Sequence, residues 1–105
     1  MTKLLLTLGL CRRAGKLVIG TPMVCEKMRT GHTVCYVFYA SDVSDATEKK
    51  LRSKCSHYGI PILKIEASRE MLGKAVGKCG AVAAVALTDA GFLPALHLTD
   101  RKGRE

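Results

Sequence analysis

Cationic side chains are the residues of this 105-residue chain with the clearest chemical potential. Lysine and arginine number 17 against 9 acidic residues, which gives a formal net charge of +8 and an isoelectric point near 9.5. Charge alone does not distinguish RNA from DNA or lipid as a partner, nor binding from solubility. Several cations lie beside glycines or near a predicted helix start, namely Arg12, Arg13, Lys16, Lys27, Arg29 and Lys78. Gly20 and Thr21 open the second predicted helix, where backbone N–H groups also bind anions. The pattern predicts a phosphate-binding surface.

Two glycine-lysine segments suggest a nucleotide-binding loop, but their spacing does not fit one. The P-loop has four residues between its first glycine and its Gly-Lys pair. Here five residues separate Gly9 from Gly15, and three separate Gly73 from Gly77. Lys78 is followed by cysteine, where a P-loop has serine or threonine. The sequence therefore gives no indication of nucleotide hydrolysis.

The five cysteines do not form the pattern of a disulfide framework or of a zinc site. Their number is odd, and neighbouring cysteines are at least ten positions apart. We expect reduced thiols, most of them buried. Cys55 and His57 are the closest cysteine–histidine pair, but on a helix they would point about 200° apart. Only a dyad formed through the tertiary fold stays open, and we predict no catalytic residue, no metal site and no cofactor.

Apolar patterns predict helices and strands that alternate along the chain. The predicted helices cover residues 2–15, 21–31, 45–59, 68–77 and 89–98, and the predicted strands cover 17–19, 34–40, 61–67 and 81–87. The second and fourth strands are continuous apolar runs and should be interior, whereas Pro61 indicates an edge strand. Asp45 with Glu48 three positions later matches a capping box, and Ser68 is predicted to cap the fourth helix. The apolar residues predicted to face the core from the fourth helix are Met71, Leu72, Ala75 and Val76.

This alternation favours an α/β fold, a three-layer α/β/α sandwich with a four-stranded mixed sheet. A chain of this length is expected to form a single domain over residues 1–105, with the polar residues 100–105 frayed. No stretch has the length and apolar character of a membrane span, and no leader peptide is recognisable. We therefore expect a cytoplasmic protein without membrane contact.

Four sequence blocks, in one order along the chain, carry a family resemblance. They are LGLCRRAGKLVIG at 8–20, ASDVS at 40–44, LGKAVG at 72–77 and VALTD at 85–89. Together they resemble the ribosomal kink-turn RNA-binding family (L7Ae type), and within it the small bacterial members of the YlxQ type. The resemblance covers residues 3 to about 98. It implies an α/β/α fold, no catalysis, and binding to structured RNA, ribosomal RNA or a kink-turn, in the ribosome or another ribonucleoprotein.

The resemblance also shows where this chain departs from kink-turn binders. Their second helix opens with a glycine and a small residue, which Gly20 and Thr21 match, followed by an Asn-Glu pair that hydrogen-bonds base edges. Pro22 and Met23 replace that pair, and Glu26 stands where the binders have lysine. Proline and methionine side chains have no N–H or O–H group for base edges. Binding through the RNA backbone is therefore expected to outweigh base reading.

The loop after the fourth helix departs in the same direction. Binders have apolar or acidic residues there, and this chain has Lys78-Cys79-Gly80, which suits phosphate. The residues expected to contact RNA are Arg12, Arg13, Lys16, Gly20, Thr21, Lys27, Lys78, Cys79 and Gly80. We expect a monomer that binds structured RNA and the ribosome and does not bind DNA. The alternative is a protein-interaction module that has kept the fold and lost specific kink-turn recognition.

Overall fold

A computed structural model describes residues 2–30 and 34–92 of the chain. In this part of the chain, helices pack on both faces of one sheet. In chain order the elements are α1 (Thr2–Arg13), β1 (Leu17–Ile19), α2 (Thr21–Arg29), β2 (Tyr36–Tyr39), α3 (Asp45–Tyr58), β3 (Ile62–Lys64), α4 (Arg69–Ala75), β4 (Ala84–Leu87) and a short 3-10 helix (Ala90–Phe92). The predicted alternation of helices and strands is confirmed.

The sheet has four strands in the order β1-β4-β2-β3, which leaves β1 and β3 at its edges. β4 pairs antiparallel with both β1 and β2, whereas β2 and β3 are parallel. The sheet is therefore mixed, as predicted, and the apolar runs that form β2 and β4 are its interior strands. One consequence is that the end of β1 lies beside the start of β4, because Ile19 is opposite Val85.

Alternate residues of the interior strands separate two hydrophobic clusters, one on each face of the sheet. Phe38 of β2 and Val85 of β4 point into the cluster that contains the apolar residues of α1 and α4. Tyr39 and Ala84 point into the cluster that contains those of α2 and α3. This period-two alternation is what a strand covered on both faces requires. The predicted three-layer α/β/α sandwich is confirmed.

Serine side chains begin two of the helices. The Ser44 hydroxyl accepts a hydrogen bond from the Thr47 N–H at 3.1 Å, and the Ser68 hydroxyl accepts one from the Met71 N–H at 3.1 Å. Ser68 was predicted as a cap. The capping box that starts at Asp45 is wrong, because Ser44 takes the cap position and Asp45 is already helical. The Asp45 carboxylate lies in the first helical turn, where the helix dipole favours negative charge.

Three further details differ from the sequence-based prediction. The strands are shorter than the apolar runs, since Val82 is buried but its N–H donates to the carbonyl of Arg69 at 2.9 Å and not to another strand. Met71 is 50% exposed, because the short helix α4 is held to the core by Leu72 and Val76. The predicted last helix begins as a 3-10 helix, whose turn is closed by the Asp89 carboxylate accepting from the Gly91 N–H at 2.9 Å.

Three predictions lie outside the described residues: the end of the second helix at Gly31, the rest of the last helix over 93–98, and the frayed end over 100–105. Within residues 2–30 and 34–92, no helix has the length and apolar character needed to cross a membrane.

Candidate nucleic-acid interface

Gly20 connects β1 to α2 and fixes where that helix begins. Its φ of 98° is a conformation that side-chain-bearing residues rarely adopt. Its N–H donates to the carbonyl of Ala84 at 2.8 Å, and its own carbonyl accepts from the Val24 N–H at 2.9 Å. The first turn of α2 is thereby held against the start of β4, next to the loop that follows α4.

The first turn of α2 leaves backbone donors without helical partners. Pro22 has no N–H, but the amides of Thr21 and Met23 have no carbonyl one turn earlier within the helix. No side chain caps this terminus. The Thr21 Oγ1 atom is buried and, within the described part of the chain, has no hydrogen-bond partner. This turn therefore offers a hydroxyl and N–H groups to an anion at the positive end of the helix dipole.

A cleft of about 310 Å³ lies beside this turn, along the edge strand β1. Its floor contains the residues of β1, and its sides carry Arg12 from α1, Met23 and Lys27 from α2, and Lys78 from the loop after α4. Because α1 and α4 cover one face of the sheet and α2 covers the other, the cleft crosses the open edge of β1. The described lining contains three cations and no acidic residue. We call this feature the edge cleft.

Glu26 and Lys27 have different surroundings although they are neighbours on α2. Glu26 accepts hydrogen bonds from the Arg29 guanidinium at 2.6 and 3.3 Å, and this interaction holds the pKa of its carboxyl below the ordinary value. The carboxylate that stands in place of a family lysine is thus paired with an arginine. Lys27 is half-buried and lines the edge cleft.

Arg13 and Lys16 do not line the edge cleft. Both are exposed, at the C-terminal end of α1 and in the turn before β1. The Lys16 carbonyl accepts from the Thr88 N–H at 2.9 Å, which places Lys16 at the opposite end of β1 from Gly20. Arg12 and Arg13 therefore lie in the last turn of α1 and Lys16 lies just after it, so these three cations do not surround a helix N-terminus.

The loop of Lys78, Cys79 and Gly80 is exposed but is tied to α4 at both of its ends. The Lys78 N–H donates to the carbonyl of Gly73 at 2.9 Å, and the Val82 N–H donates to that of Arg69 at 2.9 Å. Of the three loop residues only Lys78 lines the edge cleft. These two backbone hydrogen bonds therefore hold the loop, and with it the backbone of Lys78, in place beside α4.

Burial makes three of the thiols less acidic than a free cysteine. Burial raises the pKa of Cys11 and of Cys35, and it raises that of Cys55 to about 11. Cys11 and Cys55 are buried, Cys25 and Cys35 are half-buried and Cys79 is exposed, so the expectation that most thiols are buried is wrong. Among the described residues, no group of three histidine, cysteine or acidic side chains could hold a metal ion.

The apolar residues that line the edge cleft were not predicted from the sequence. Met23 was treated only as a replacement for a base-reading residue, yet it is 49% exposed and lines the cleft together with Leu17 and Ile19. The one available signal was the brevity of the β1 run, since short strands are common at sheet edges.

Comparison with known proteins agrees with the fold and the four sequence blocks. A model of the Ribosomal protein L7Ae/L30e/S12e/Gadd45 family matches residues 2–97. The chain belongs to this family. The chain is 41% identical over 85 residues to the RNA-binding protein YlxQ of Bacillus subtilis (strain 168), which covers 81% of this chain and 82% of the relative. It is also 36% identical over 70 residues to the RNA-binding protein YlxQ of Enterococcus faecium, with coverage of 64% and 67%. The predicted family resemblance is confirmed.

Two solved structures of this L7Ae-type fold are similar to the chain. A protein of unknown function from Bacillus halodurans C superposes with a TM-score of 0.82 at 37% identity, covering 93% of this chain and 96% of that one. The 15.5kD RNA binding protein of Giardia lamblia superposes with a TM-score of 0.78 at 18% identity, covering 96% and 84%. The second similarity concerns the fold alone.

Proposed function

We propose that this protein binds structured RNA through the edge cleft and the adjoining first turn of α2, as a ribosomal or ribosome-associated protein in the cytoplasm. The observation that carries the proposal is the convergence of Arg12, Lys27 and Lys78, from three separate elements, on one cleft without an acidic neighbour. The family and the names of the YlxQ relatives support the same function. The protein acts as a binder and not as an enzyme.

Phosphate recognition follows from the placement of these cations. Arg12 and Lys78 lie on one side of the open edge and Lys27 on the other, so a nucleic-acid strand along β1 meets positive charge from both sides. The amides and hydroxyl at the start of α2 add donors that need no side-chain charge. Gly20, which has no side chain, lets RNA approach the backbone there. We propose that four residues outside the cleft lining also contact the RNA: Arg13, Lys16, Cys79 and Gly80.

The RNA is recognised mainly by its shape and backbone. Pro22 and Met23 are both exposed on the first turn of α2, and neither side chain can donate to a base edge. A contact set of about 4–6 phosphates gives a slope of roughly −3 to −5 for the logarithm of affinity against the logarithm of salt concentration. Preference for RNA over DNA then rests on the A-form shape and the 2′-hydroxyl groups.

Charge reversal tests this proposal with a matched control. The variant Arg12→Glu with Lys78→Glu removes two cations of the edge cleft, and Lys49→Glu with Lys50→Glu makes the same charge change on the exposed side of α3. Binding to a bacterial ribosomal RNA fragment with helical junctions is measured at several salt concentrations, with duplex DNA as competitor. The first pair should weaken binding and flatten the salt slope far more than the second. Equal effects of the two pairs, or a flat slope for the unmodified protein, would refute the proposal.

A protein-interaction module is the second candidate, because α1 exposes two leucines. Leu6 is 66% exposed and Leu10 is 51% exposed, one turn apart. The variant Leu6→Ser with Leu10→Ser separates the candidates by ribosome co-sedimentation. Loss of ribosome association with these changes, together with retention after charge reversal at Arg12 and Lys78, would favour the interaction module.

A further inference from the structure

The outer edge of β1 presents backbone groups to the edge cleft. The Gly20 N–H bonds to Ala84 at one end of the strand, and Thr88 bonds to the Lys16 carbonyl at the other. Hydrogen-bonded pairs alternate along an antiparallel ladder, so Val18 is the middle residue that bonds to β4. The N–H and C=O groups of Leu17 and Ile19 therefore point away from the sheet. Among the residues that the structure describes, no strand pairs with that edge.

The cleft combines these backbone groups with an apolar wall and a charged rim. Leu17, Val18, Ile19 and Met23 line its floor and one side, while Arg12, Lys27 and Lys78 line the remainder. Its volume of about 310 Å³ is at the lower end of the range of small-molecule sites, roughly 300–1,000 Å³. A flat aromatic group with hydrogen-bonding edges and a nearby phosphate matches all three features.

We propose that the edge cleft holds the base of one unpaired nucleotide of the bound RNA. The base packs against Met23 and hydrogen-bonds with the outward backbone groups of Leu17 and Ile19, while its flanking phosphates lie on the cationic rim. This inference rests on the proposed function, and it adds to that function a requirement that the RNA be locally unpaired. Single-stranded nucleotides are the form in which side chains and backbone can reach base edges of RNA.

A peptide strand added to the edge of β1 is the alternative occupant, and the observations favour the nucleotide. The edge strand has only three residues, so a peptide would gain hydrogen bonds to just two of them. Three cations around the cleft suit phosphates better than a neutral backbone. A bound nucleotide requires an RNA with an unpaired base, whereas a bound peptide requires no RNA. Probes with and without an unpaired base therefore distinguish the two occupants.

Two methionines of equal exposure allow a matched test. Met23 lines the cleft and is 49% exposed, whereas Met71 lies on α4 outside the cleft lining and is 50% exposed. The probes are an RNA hairpin with a short uridine bulge in its stem and the same hairpin with the bulge fully paired. Met23→Ala should weaken binding to the bulged hairpin about three- to tenfold and weaken binding to the paired hairpin by a clearly smaller factor, since the apolar contact with the unpaired base is lost only in the bulged complex. Met71→Ala should change neither affinity.

The outcomes distinguish this inference from the proposed function. If the unmodified protein binds neither hairpin, the proposed function fails. If it binds both equally and Met23→Ala has no selective effect, only the nucleotide site is refuted.

A photoreactive 5-iodouridine in the bulge locates the base directly. The site predicts a crosslink within residues 17–27, and a crosslink found only elsewhere overturns it. Protection of the Leu17 and Ile19 amides from hydrogen exchange by a peptide, with none on addition of the bulged hairpin, would assign the edge to a protein.

Discussion

Gly73 in α4 lies directly against the carbonyl oxygen of Gly80, so that a Cβ atom at position 73 would collide with that oxygen. Real Cβ atoms do not approach a backbone oxygen so closely, and hence only glycine allows this contact. The loop that carries Lys78 is therefore seated on α4 through a position without a side chain. Its location beside the edge cleft depends on that contact.

Substitution of Gly73 by alanine is expected to damage both stability and binding. The added methyl group forces α4 and the loop of Lys78 to Gly80 apart, and overpacking of this kind costs about 1–3 kcal/mol. The free energy of unfolding by urea should fall by that amount, and RNA affinity should fall under conditions where the variant is fully folded. Glu70→Ala on the exposed side of the same helix should change stability by less than about 0.5 kcal/mol. Unchanged RNA affinity of the folded Gly73→Ala variant would show that binding does not depend on the position of the Lys78 loop.

Thr21→Val should separate a binding role of the threonine hydroxyl from a structural one. The hydroxyl is buried without a partner among the described residues, so its removal should leave stability unchanged or raise it by about 1 kcal/mol. RNA affinity should nevertheless fall about two- to tenfold, because one hydrogen bond to phosphate is lost. Thr30→Val, at the other end of α2, is the control and should not weaken binding. Lower stability with unchanged affinity would contradict the proposed contact.

The unmodified protein should bind a standard kink-turn little better than a paired RNA of equal length. The side chains of Pro22 and Met23 supply neither the amide group nor the carboxylate acceptor with which an Asn-Glu pair hydrogen-bonds the sheared base pairs of that motif. Replacing them as Pro22→Asn with Met23→Glu should create a preference for the kink-turn, measured by competition between the two RNAs. A strong kink-turn preference before the substitution would show that another part of the surface reads the motif.

The reactivity of the thiols should follow their exposure. Cys79 is exposed and should be the first to react with a disulfide reagent near neutral pH, because the reagent can reach its sulfur. Cys55 should be the last, because burial raises its pKa to about 11 and its thiolate is scarce. Cys79→Ser should remove the first phase. A thiol that reacts much faster than a free one would instead indicate a catalytic cysteine.

Acid should weaken the fold through Glu48. Its carboxylate accepts a hydrogen bond from the Tyr39 hydroxyl at 2.5 Å, and it lies 3.6 Å from Arg52 and 3.9 Å from Lys64. The Tyr39 hydrogen bond lowers its pKa below 4.5, followed in effect by the two cations. A lowered pKa in the folded state gives stability that is present above pH 4.5 and is lost as the pH falls through the folded value.

The variant Glu48→Gln should therefore be less stable than the unmodified protein near neutral pH and equally stable in strong acid. Urea unfolding at about pH 7 and about pH 3 measures the difference. Glu70→Gln, whose side chain makes no ion pair within the described residues, should differ little at either pH. A constant deficit of Glu48→Gln at both pH values would mean that its charge is not the cause.

The sheet was predictable from sequence because its interior strands are continuous apolar runs. Residues 37–39 and Ala84–Leu87 are buried on both faces of the sheet, and that burial requires helices on each side. The serine cap at Ser68 was equally clear. The choice between Ser44 and Asp45 was not, because both residues can cap a helix and only the backbone angles of the turn decide between them.

The edge cleft was predictable only in part. Arg12, Lys27 and Lys78 were expected to contact RNA, and the structure brings these three together. Their convergence depends on the antiparallel pairing of β1 with β4, which no local pattern encodes. The N–H and C=O groups of Leu17 and Ile19 point outward because of the register in which β1 pairs with β4. This register could not be predicted from the sequence.

The hydrogen bond from Gly20 to Ala84 shows that the edge cleft forms only when the chain folds. It joins positions 64 residues apart and, together with the β1–β4 ladder, brings the start of α2 close to the loop of Lys78. An unfolded chain keeps its positive charge but not this arrangement. RNA that binds the native arrangement alone must shift the folding equilibrium towards it, raising the melting temperature by mass action. Bound RNA would thus stabilise the folded protein against thermal unfolding.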